Sequence, residues 1–193
     1  MSFCMILLAA GNSNRFKSNL AKPYHKIGGK TLLEINLSKI SKSKHIIQTI
    51  VVHSKKDTNK IKKLDLRNVK LIIGGKTRQA STFNALKYLY KKKIITKVLI
   101  HDVARPNFSL KLLNTLIKEM KLNKVVIPKL KINDAVKQKI ELSGLQIING
   151  INRSNLFLTQ TPQAFNLKEI YNLHETYGQK YHDDDMSLYK NFK

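Results

Sequence analysis

The chain has 193 residues, the length of one domain with a substantial core, and its single cysteine, Cys4, excludes a disulfide framework and favours a cytoplasmic location. Its apolar runs are shorter than the roughly 20 residues that cross a bilayer, and the first ten residues lack the basic region of a signal peptide. A net charge of +24 would suit nucleic-acid binding, but the basic residues are spread along the whole chain, which favours solvated lysine-rich faces.

Short apolar runs alternate with amphipathic stretches along most of the chain. The runs are continuous and rich in β-branched residues, which predicts buried strands at 3–10, 46–54, 69–73, 97–102 and 124–128. Helical spacing predicts helices at 31–40, 78–90 and 109–120, the last with Ser109 as its N-cap. This alternation is typical of an α/β fold with a mainly parallel sheet, helices on both faces, and ligands at the carboxyl ends of the strands.

The segment 129–152 breaks this alternation. It contains short strand-like pieces around Ser143-Gly144, which predicts a hairpin that we interpret as a β-arm projecting from the main sheet. The chain then resumes with LFLTQTPQAF at 156–165 and a helix near 167–177. We therefore expect a single domain over 1–193 that carries this arm.

Arginine is rare, and its positions are informative. Only five of the 36 basic residues are arginine. A chain that uses lysine for most positive charges is expected to keep arginine where its planar, bidentate group matters for phosphate or carboxylate. Four of the five lie in segments that look functional on other grounds: Arg15, Arg78, Arg105 and Arg153.

The first such segment is LLAAGNSNRFKSNLAKP at 7–23. Ala9, Ala10 and Gly11 are small enough for backbone N–H groups to approach a ligand, and Arg15 and Lys22 could then bind a triphosphate. The loop matches neither the Walker pattern nor GxGxxG. A plain strand-to-helix turn explains the loop equally well.

The second segment is VLIHDVARP at 98–106. Asp102 follows a buried strand, where it could hold Mg²⁺ together with phosphate oxygens, and Arg105 comes three residues later. The alternative is a helix-capping aspartate beside a surface arginine. We expect His101 to be structural, because no other His or Cys stands at metal-ligand spacing.

Three further segments complete the set. In GGKTRQASTFNAL (74–86), Gly75 and Ser81 near a helix N-terminus suit nucleotide contact, although a simple glycine turn is an equal alternative. NRSNLFLTQTPQAF (152–165) contains Arg153 and Thr161. YHDDDMSLYK (181–190) gathers three of the twelve acidic residues, and a solvated acidic helix start is the favoured interpretation.

Taken in order, these segments resemble the 2-C-methyl-D-erythritol 4-phosphate cytidylyltransferases of the non-mevalonate isoprenoid pathway. The resemblance spans residues 5–190, and HDVARP followed by TPQAF is the combination of stretches most specific to this family. The matching stretches are LLAAGNSNRFKSNLAKPY, GGKTRQAS, VLIHDVARP, INDAVK, NRSNLFLTQTPQAF and HDDDMSLYK.

The resemblance implies a Rossmann-like nucleotidyltransferase that joins CTP to methylerythritol phosphate and releases pyrophosphate. It also implies a homodimer whose arm crosses to the partner subunit, and Mg²⁺ or another divalent cation at Asp102. The implied roles are catalysis for Arg15, Lys22 and Asp102, CTP binding for Ala9, Ala10, Gly11, Gly75 and Ser81, and acceptor binding for Arg105, Arg153 and Thr161.

Some residues depart from the family pattern. Ala135 and His182 stand where a hydroxyl residue is usual, and Lys76 stands where an acidic residue often follows the two glycines. Family members continue beyond the acidic segment, so we expect the chain to be incomplete at its C-terminal end, as the front part of a longer or bifunctional enzyme would be.

Two alternatives remain open at this stage. One is a cytidylyltransferase for another alditol phosphate, such as ribitol phosphate. The other is a non-catalytic basic module that binds nucleotides or RNA. On the main interpretation, neither a membrane nor a specific nucleic acid is an expected partner.

Overall fold

The computed structural model describes residues 2–11, 20–64, 66, 68–142, 145–178 and 182–189. Strands and helices alternate along the described chain much as the sequence predicts. The strands and α-helices are β1 Phe3–Ala9, β2 Lys26–Ile27, β3 Lys30–Thr31, α1 Leu32–Ile40, β4 Ile46–His53, α2 Thr58–Ile61, β5 Val69–Ile73, α3 Arg78–Lys92, β6 Lys97–Asp102, α4 Leu110–Glu119, β7 Val125–Val126, β8 Lys129–Lys131, β9 Val136–Leu142, β10 Leu145–Ile151, β11 Phe157–Thr159, β12 Gln163–Asn166 and α5 Leu167–Tyr177. Short 3-10 helices lie at Lys22–Tyr24, Lys55–Asp57, Arg153–Asn155 and Met186–Tyr189.

A six-stranded sheet with the order β5-β4-β1-β6-β12-β7 organises most of the chain. β1 is parallel to both β4 and β6, and β4 is parallel to β5. β12 alone runs antiparallel to its two neighbours. The predicted mainly parallel sheet is therefore confirmed, and the carboxyl ends of β5, β4, β1 and β6 lie at one edge of it.

Helices cover both faces of this sheet, as predicted. Along β1, Phe3, Met5 and Leu7 belong to one buried cluster, which also contains residues of α1 and α4. Cys4 and Ile6 point into the other cluster, with residues of α3 and α5. This alternation follows from the two-residue period of a strand, and each fully buried large aliphatic side chain contributes about 1.5–3 kcal/mol.

Two apolar segments, the strand predicted at 124–128 and the stretch 156–165, form strands shorter than the segments themselves, and a proline lies within each segment. The strand predicted at 124–128 is reduced to Val125–Val126. The segment 156–165 divides into Phe157–Thr159 and Gln163–Asn166, with Pro162 between them. Since proline has no N–H group to donate to a ladder, Pro128 and Pro162 account for both interruptions.

The chain forms two compact units. The first, the sheet unit, comprises residues 1–127 and 161–193, and the second, the arm unit, comprises 128–160. The predicted arm at 129–152 lies inside the second unit, which extends to Gln160. In the arm unit β9 pairs with β10 as the predicted antiparallel hairpin, with Leu142 opposite Leu145, and β8 pairs with β11. The predicted turn residues Ser143-Gly144 lie outside the described residues.

None of the helices in the described ranges is both long and apolar enough to cross a membrane.

Candidate active site

A cavity of about 730 Å³ lies at the carboxyl ends of the parallel strands of the sheet unit. It brings together eight of the residues that the sequence assigns to the site, from three separate segments. These are Ala9, Ala10, Gly11, Lys22, Gly75, Ser81, Asp102 and Arg105.

The loop after β1 forms one wall of the cavity. Ala9, Ala10 and Gly11 line it directly after the strand, and Lys22 lines it from the start of the 3-10 helix Lys22–Tyr24. The small side chains of this wall would let a ligand approach its backbone, and that contact stays a prediction. Arg15, assigned with Lys22 to the phosphates, lies outside the described residues.

The turn between β5 and α3 forms a second wall. Ser81 accepts a hydrogen bond from the backbone N–H of Gly75 (3.1 Å) and donates one to the carbonyl of Thr77 (2.9 Å). A Cβ added at Gly74 would lie 2.5 Å from Cβ of Ala10, and one at Gly75 would lie 2.5 Å from Cβ of Ala80. The two glycines therefore allow this turn to approach both the loop after β1 and α3, while their contact with a nucleotide stays a prediction.

Positive charge dominates the described lining of the cavity. Asp102 is its one carboxylate, against five cationic side chains: Lys22, Lys55, Lys76, Arg78 and Arg105. The assignment from sequence omitted Lys55, Lys76 and Arg78. Arg78 could have been included, because it is one of the few arginines of the chain. Lys76 stands out only as a departure from the family pattern, and no sequence signal distinguishes Lys55 from the other lysines.

Asp102 lies between two guanidinium groups. Its Oδ1 is 3.2 Å from Nε of Arg78, and its Oδ2 is 3.6 Å from Nε of Arg105. The next α-helix, α4, begins with Ser109 as its N-cap, so the alternative that Asp102 caps a helix is wrong. Among the described residues, no group of three His, Cys, Asp or Glu side chains could hold a metal ion. The site therefore fits Mg²⁺ only if the ion is bound by the one carboxylate together with phosphate oxygens of the substrates.

Buried hydrogen bonds hold the loop around Asp102 in place. Nε2 of His101 lies within hydrogen-bond distance of Oδ1 of Asn36 (3.0 Å) and of the carbonyl of Arg105 (3.1 Å), so the proton belongs on Nε2. The hydroxyl of Thr161 donates to Nδ1 of His101 (2.8 Å) and accepts from the backbone N–H of Asp102 (3.3 Å). Burial lowers the pKa of His101 to about 4, and the ring is neutral and structural, as predicted.

Arg78 connects this site to the acidic segment of the chain. Its Nη1 donates to Oδ2 of Asp185 (2.7 Å), and Nε2 of His174 donates to the other carboxylate oxygen of Asp185 (3.0 Å). Asp185 is 1 % exposed. Burial by itself would raise the pKa of Asp185, but Arg78 and His174 outweigh it and hold the pKa below its ordinary value.

The interpretation of the acidic segment as a solvated helix start is therefore wrong for Asp185. Only the helix-start part of that interpretation fits Asp184, which is half-buried and whose Oδ1 accepts a hydrogen bond from the backbone N–H of Ser187 (2.9 Å) at the start of a 3-10 helix. The ring of His182 is 3.2 Å from the carbonyl of Tyr177, and His182 is absent from the described lining of the cavity. A partner more than 100 residues away cannot be read from local sequence, which is why the burial of Asp185 was missed.

The remaining assigned residue, Arg153, belongs to the arm unit. Its guanidinium donates to the carbonyl of Asn133 within that unit. Ala135, one of the departures from the family pattern, is exposed in the same unit. The acceptor-binding roles of Arg153, Thr161 and Arg105 stay predictions.

Comparison with known proteins identifies the family. A family model described as "IspD: 2-C-methyl-D-erythritol 4-phosphate cytidylyltransferase" matches residues 3–192. The chain is 45 % identical over 184 residues to the bifunctional enzyme IspD/IspF of Pelagibacter ubique, an alignment that covers 95 % of this chain and 48 % of that protein. The chain thus spans about half the length of this bifunctional relative.

Two monofunctional relatives agree with this match. The 2-C-methyl-D-erythritol 4-phosphate cytidylyltransferase of Clostridium botulinum (strain 657 / Type Ba4) is 34 % identical over 192 residues, covering 95 % of this chain and 82 % of that protein. The crystal structure of 4-diphosphocytidyl-2C-methyl-D-erythritol synthase from Anaerococcus prevotii superposes with a TM-score of 0.84 at 34 % identity, covering 99 % of this chain and 82 % of that one. The chain therefore belongs to the 2-C-methyl-D-erythritol 4-phosphate cytidylyltransferase family of nucleotidyltransferases.

Proposed function

We propose that this chain transfers a cytidylyl group from CTP to 2-C-methyl-D-erythritol 4-phosphate, giving 4-diphosphocytidyl-2-C-methyl-D-erythritol and pyrophosphate in isoprenoid biosynthesis. The observation that carries the proposal is the cavity at the strand ends, whose described lining holds five cationic side chains and one carboxylate. Such a lining suits two phosphate-bearing substrates, and membership of the family names them.

The reaction needs positioning and positive charge more than acid–base chemistry. An oxygen of the acceptor phosphate is already an anion, so it can attack the α-phosphorus of CTP without a general base. As that P–O bond forms, the bond from the α-phosphorus to the bridging oxygen breaks, and pyrophosphate leaves with the electron pair. The main obstacle is repulsion between two polyanions, which preorganised cations reduce.

The cationic side chains can be given separate tasks. Lys22, which lines the cavity together with Ala10 and Gly11, would neutralise charge that builds up on the α-phosphoryl group, and we assign Arg15 to the same task. Arg105, on the other side of Asp102, would bind the acceptor phosphate. Each contact would be strongest in the transition state, when the two polyanions are closest.

Mg²⁺ or another divalent cation is part of this proposal. Asp102 would hold the cation together with phosphate oxygens, because it is the one carboxylate in the described lining. When bound, the cation would offset charge on the polyphosphate. Arg78 and Arg105 would then keep the Asp102 carboxylate turned towards the bound phosphates.

We also propose a cytoplasmic homodimer in which the arm unit reaches the partner and supplies Arg153 to the partner's site. The arm unit has several exposed apolar side chains that a second copy could cover: Leu130, Ile147, Ile148, Leu156, Phe157 and Leu158. The lone, buried Cys4 suits a reducing compartment.

A coupled assay of pyrophosphate release tests the function. The full-length natural protein is incubated with CTP, Mg²⁺ and a panel of acceptors that contains methylerythritol phosphate and ribitol 5-phosphate. We expect release that depends on methylerythritol phosphate and is lost when ATP replaces CTP. Preference for ribitol 5-phosphate would make it the acceptor in place of methylerythritol phosphate. Absence of pyrophosphate release with every divalent metal would contradict the proposal.

A further inference from the structure

Asp185 is a buried carboxylate to which the transfer reaction gives no task. It is 1 % exposed and lies in the short segment between α5 and the end of the described chain. Burying a charge is costly unless it is paired and hydrogen-bonded, and here both oxygens are engaged, one by Arg78 and the other by His174. Such complete pairing makes Asp185 a fixed anchor rather than a surface charge.

Arg78 is the only link from this anchor to the cavity that the described contacts provide. Its Nη1 faces Asp185 at 2.7 Å while its Nε faces Asp102 at 3.2 Å, so one planar guanidinium bridges the two carboxylates. A long side chain that is held at one end loses less rotamer freedom when it binds at the other. The Asp185 contact therefore prepares Arg78 to hold Asp102.

The anchor is itself held in place from several directions. The side-chain amide of Gln79, next to Arg78 in the first turn of α3, donates to the carbonyl of His182. The amide of Gln163 in β12 donates to Asp184 at 2.7 Å. The first contact fixes the acidic segment against the helix end from which Arg78 reaches the cavity, and the second fixes it against β12.

We propose that Asp185 is a positioning residue for nucleotidyl transfer: through Arg78, it fixes the orientation of the Asp102 carboxylate in the cavity. This inference rests on the proposed function. The order of action is His174 to Asp185, Asp185 to Arg78, and Arg78 to Asp102, which touches the substrates or their cation.

The substitution Asp185→Asn isolates this role, because it preserves shape and removes one acceptor. The amide can accept from either Arg78 or His174, but its NH₂ group then faces the other donor. We expect kcat to fall about 10- to 100-fold, the usual effect of losing a partner that orients a metal-site ligand. We expect the KM for CTP to change less than about threefold, since the cations that bind the polyphosphate remain.

A double-mutant cycle with Asp102→Asn separates positioning from general destabilisation. If Asp185 acts through Asp102, Asp185→Asn costs about threefold or less in kcat once Asp102 is already Asn. The matched control is Glu175→Gln, which removes one negative charge from an exposed residue beside His174 and should leave kcat within about twofold. Melting curves verify that each variant is folded at the assay temperature.

The outcomes are distinct. Two results would overturn the positioning role and leave the proposed function standing. One is that Asp185→Asn lowers kcat by the same factor in the wild-type protein and in Asp102→Asn. The other is a rise in the KM for CTP with kcat unchanged. A wild-type protein that releases no pyrophosphate would overturn both. If Asp185→Asn does not fold, Arg78→Gln takes its place in the same cycle. Losses of kcat from Arg78→Gln and Asp102→Asn that add as free energies would then overturn the inference.

Discussion

The strands of the sheet unit and those of the arm unit both carry large aliphatic side chains, yet these side chains differ in burial. Ile6 and Leu99, in neighbouring strands of the sheet unit, are fully buried, whereas Ile148 and Leu158 of the arm unit are 69 % and 53 % exposed. Two-stranded hairpins without a covered face are marginally stable in water. The difference teaches that the buried core and the cationic cavity belong to the sheet unit, while the arm unit exposes apolar side chains.

The largest expected effect concerns positive charge inside and outside the cavity. Lys22→Ala removes a cation that lines the cavity of the sheet unit, and we expect kcat to fall about 100- to 1000-fold, with a smaller change in CTP affinity, because the charge it meets develops in the transition state. Arg15→Ala should behave alike. Steady-state kinetics and calorimetric CTP binding measure the two quantities.

Lys137→Ala, an exposed lysine of the arm unit, is the matched control and should leave kcat within about twofold. An unchanged kcat in Lys22→Ala would refute the role assigned to Lys22. A large loss in Lys137→Ala would show that the reaction needs a charge of the arm unit other than that of Arg153, which would contradict the assignment of the transition-state cations to the sheet unit.

The next effect compares the two units as sources of stability. Leu99→Ala deletes a fully buried side chain and should lower the free energy of unfolding by about 2–5 kcal/mol, because the sheet cannot close the cavity that remains. Leu158→Ala should cost less than about 0.5 kcal/mol at low protein concentration, since its side chain is about half exposed. Urea unfolding at several protein concentrations measures both.

Concentration dependence makes this comparison sharper. If a second copy covers the arm unit, the cost of Leu158→Ala should grow as protein concentration rises, because the dimer then contributes to stability. Equal costs for the two substitutions at low concentration would contradict the contrast in burial.

The sequence predicts most of the sheet unit because its signals are local. The strand at 3–10 follows from its continuous apolar run, and the helix at 109–120 follows from helical spacing and the Ser109 N-cap. Both form within one or two residues of the expected bounds. Asp102 could be assigned because it ends a strand, and strand ends meet at one edge of a parallel sheet.

What the sequence does not predict depends on contacts between distant segments. Arg78 and Asp185 are 107 positions apart, and only the fold brings them to 2.7 Å. The link between His101 and Thr161 spans 60 positions. In both cases a polar residue that reads locally as a surface or turn residue is buried because its partner arrives from another strand or helix.

The smallest expected effect is a pH dependence that belongs to the sheet unit, since the arm unit contains no histidine. Burial lowers the pKa of His101 from 6.5 to about 4 in the folded chain. Between about pH 6.5 and about pH 4, His101 is protonated in the unfolded chain and neutral in the folded chain. Acidification from about pH 6.5 to about pH 4 therefore favours unfolding. At about 1.4 kcal/mol per pKa unit, this group alone can remove up to about 3 kcal/mol of stability.

His101→Gln should remove this contribution. Its free energy of unfolding should be lower than that of the wild-type protein near neutral pH and should fall less steeply as the solution is acidified. Urea unfolding at a series of pH values measures both curves, and His45→Gln, at an exposed histidine of the same unit, should run parallel to the wild type. If the free energy of unfolding fell equally steeply with pH in His101→Gln and in the wild type, the ring of His101 would take up its proton without loss of the fold. The network of Asn36, His101 and Thr161 would then not be what holds the loop around Asp102, because it could not survive protonation of Nδ1, the atom that accepts the Thr161 hydroxyl.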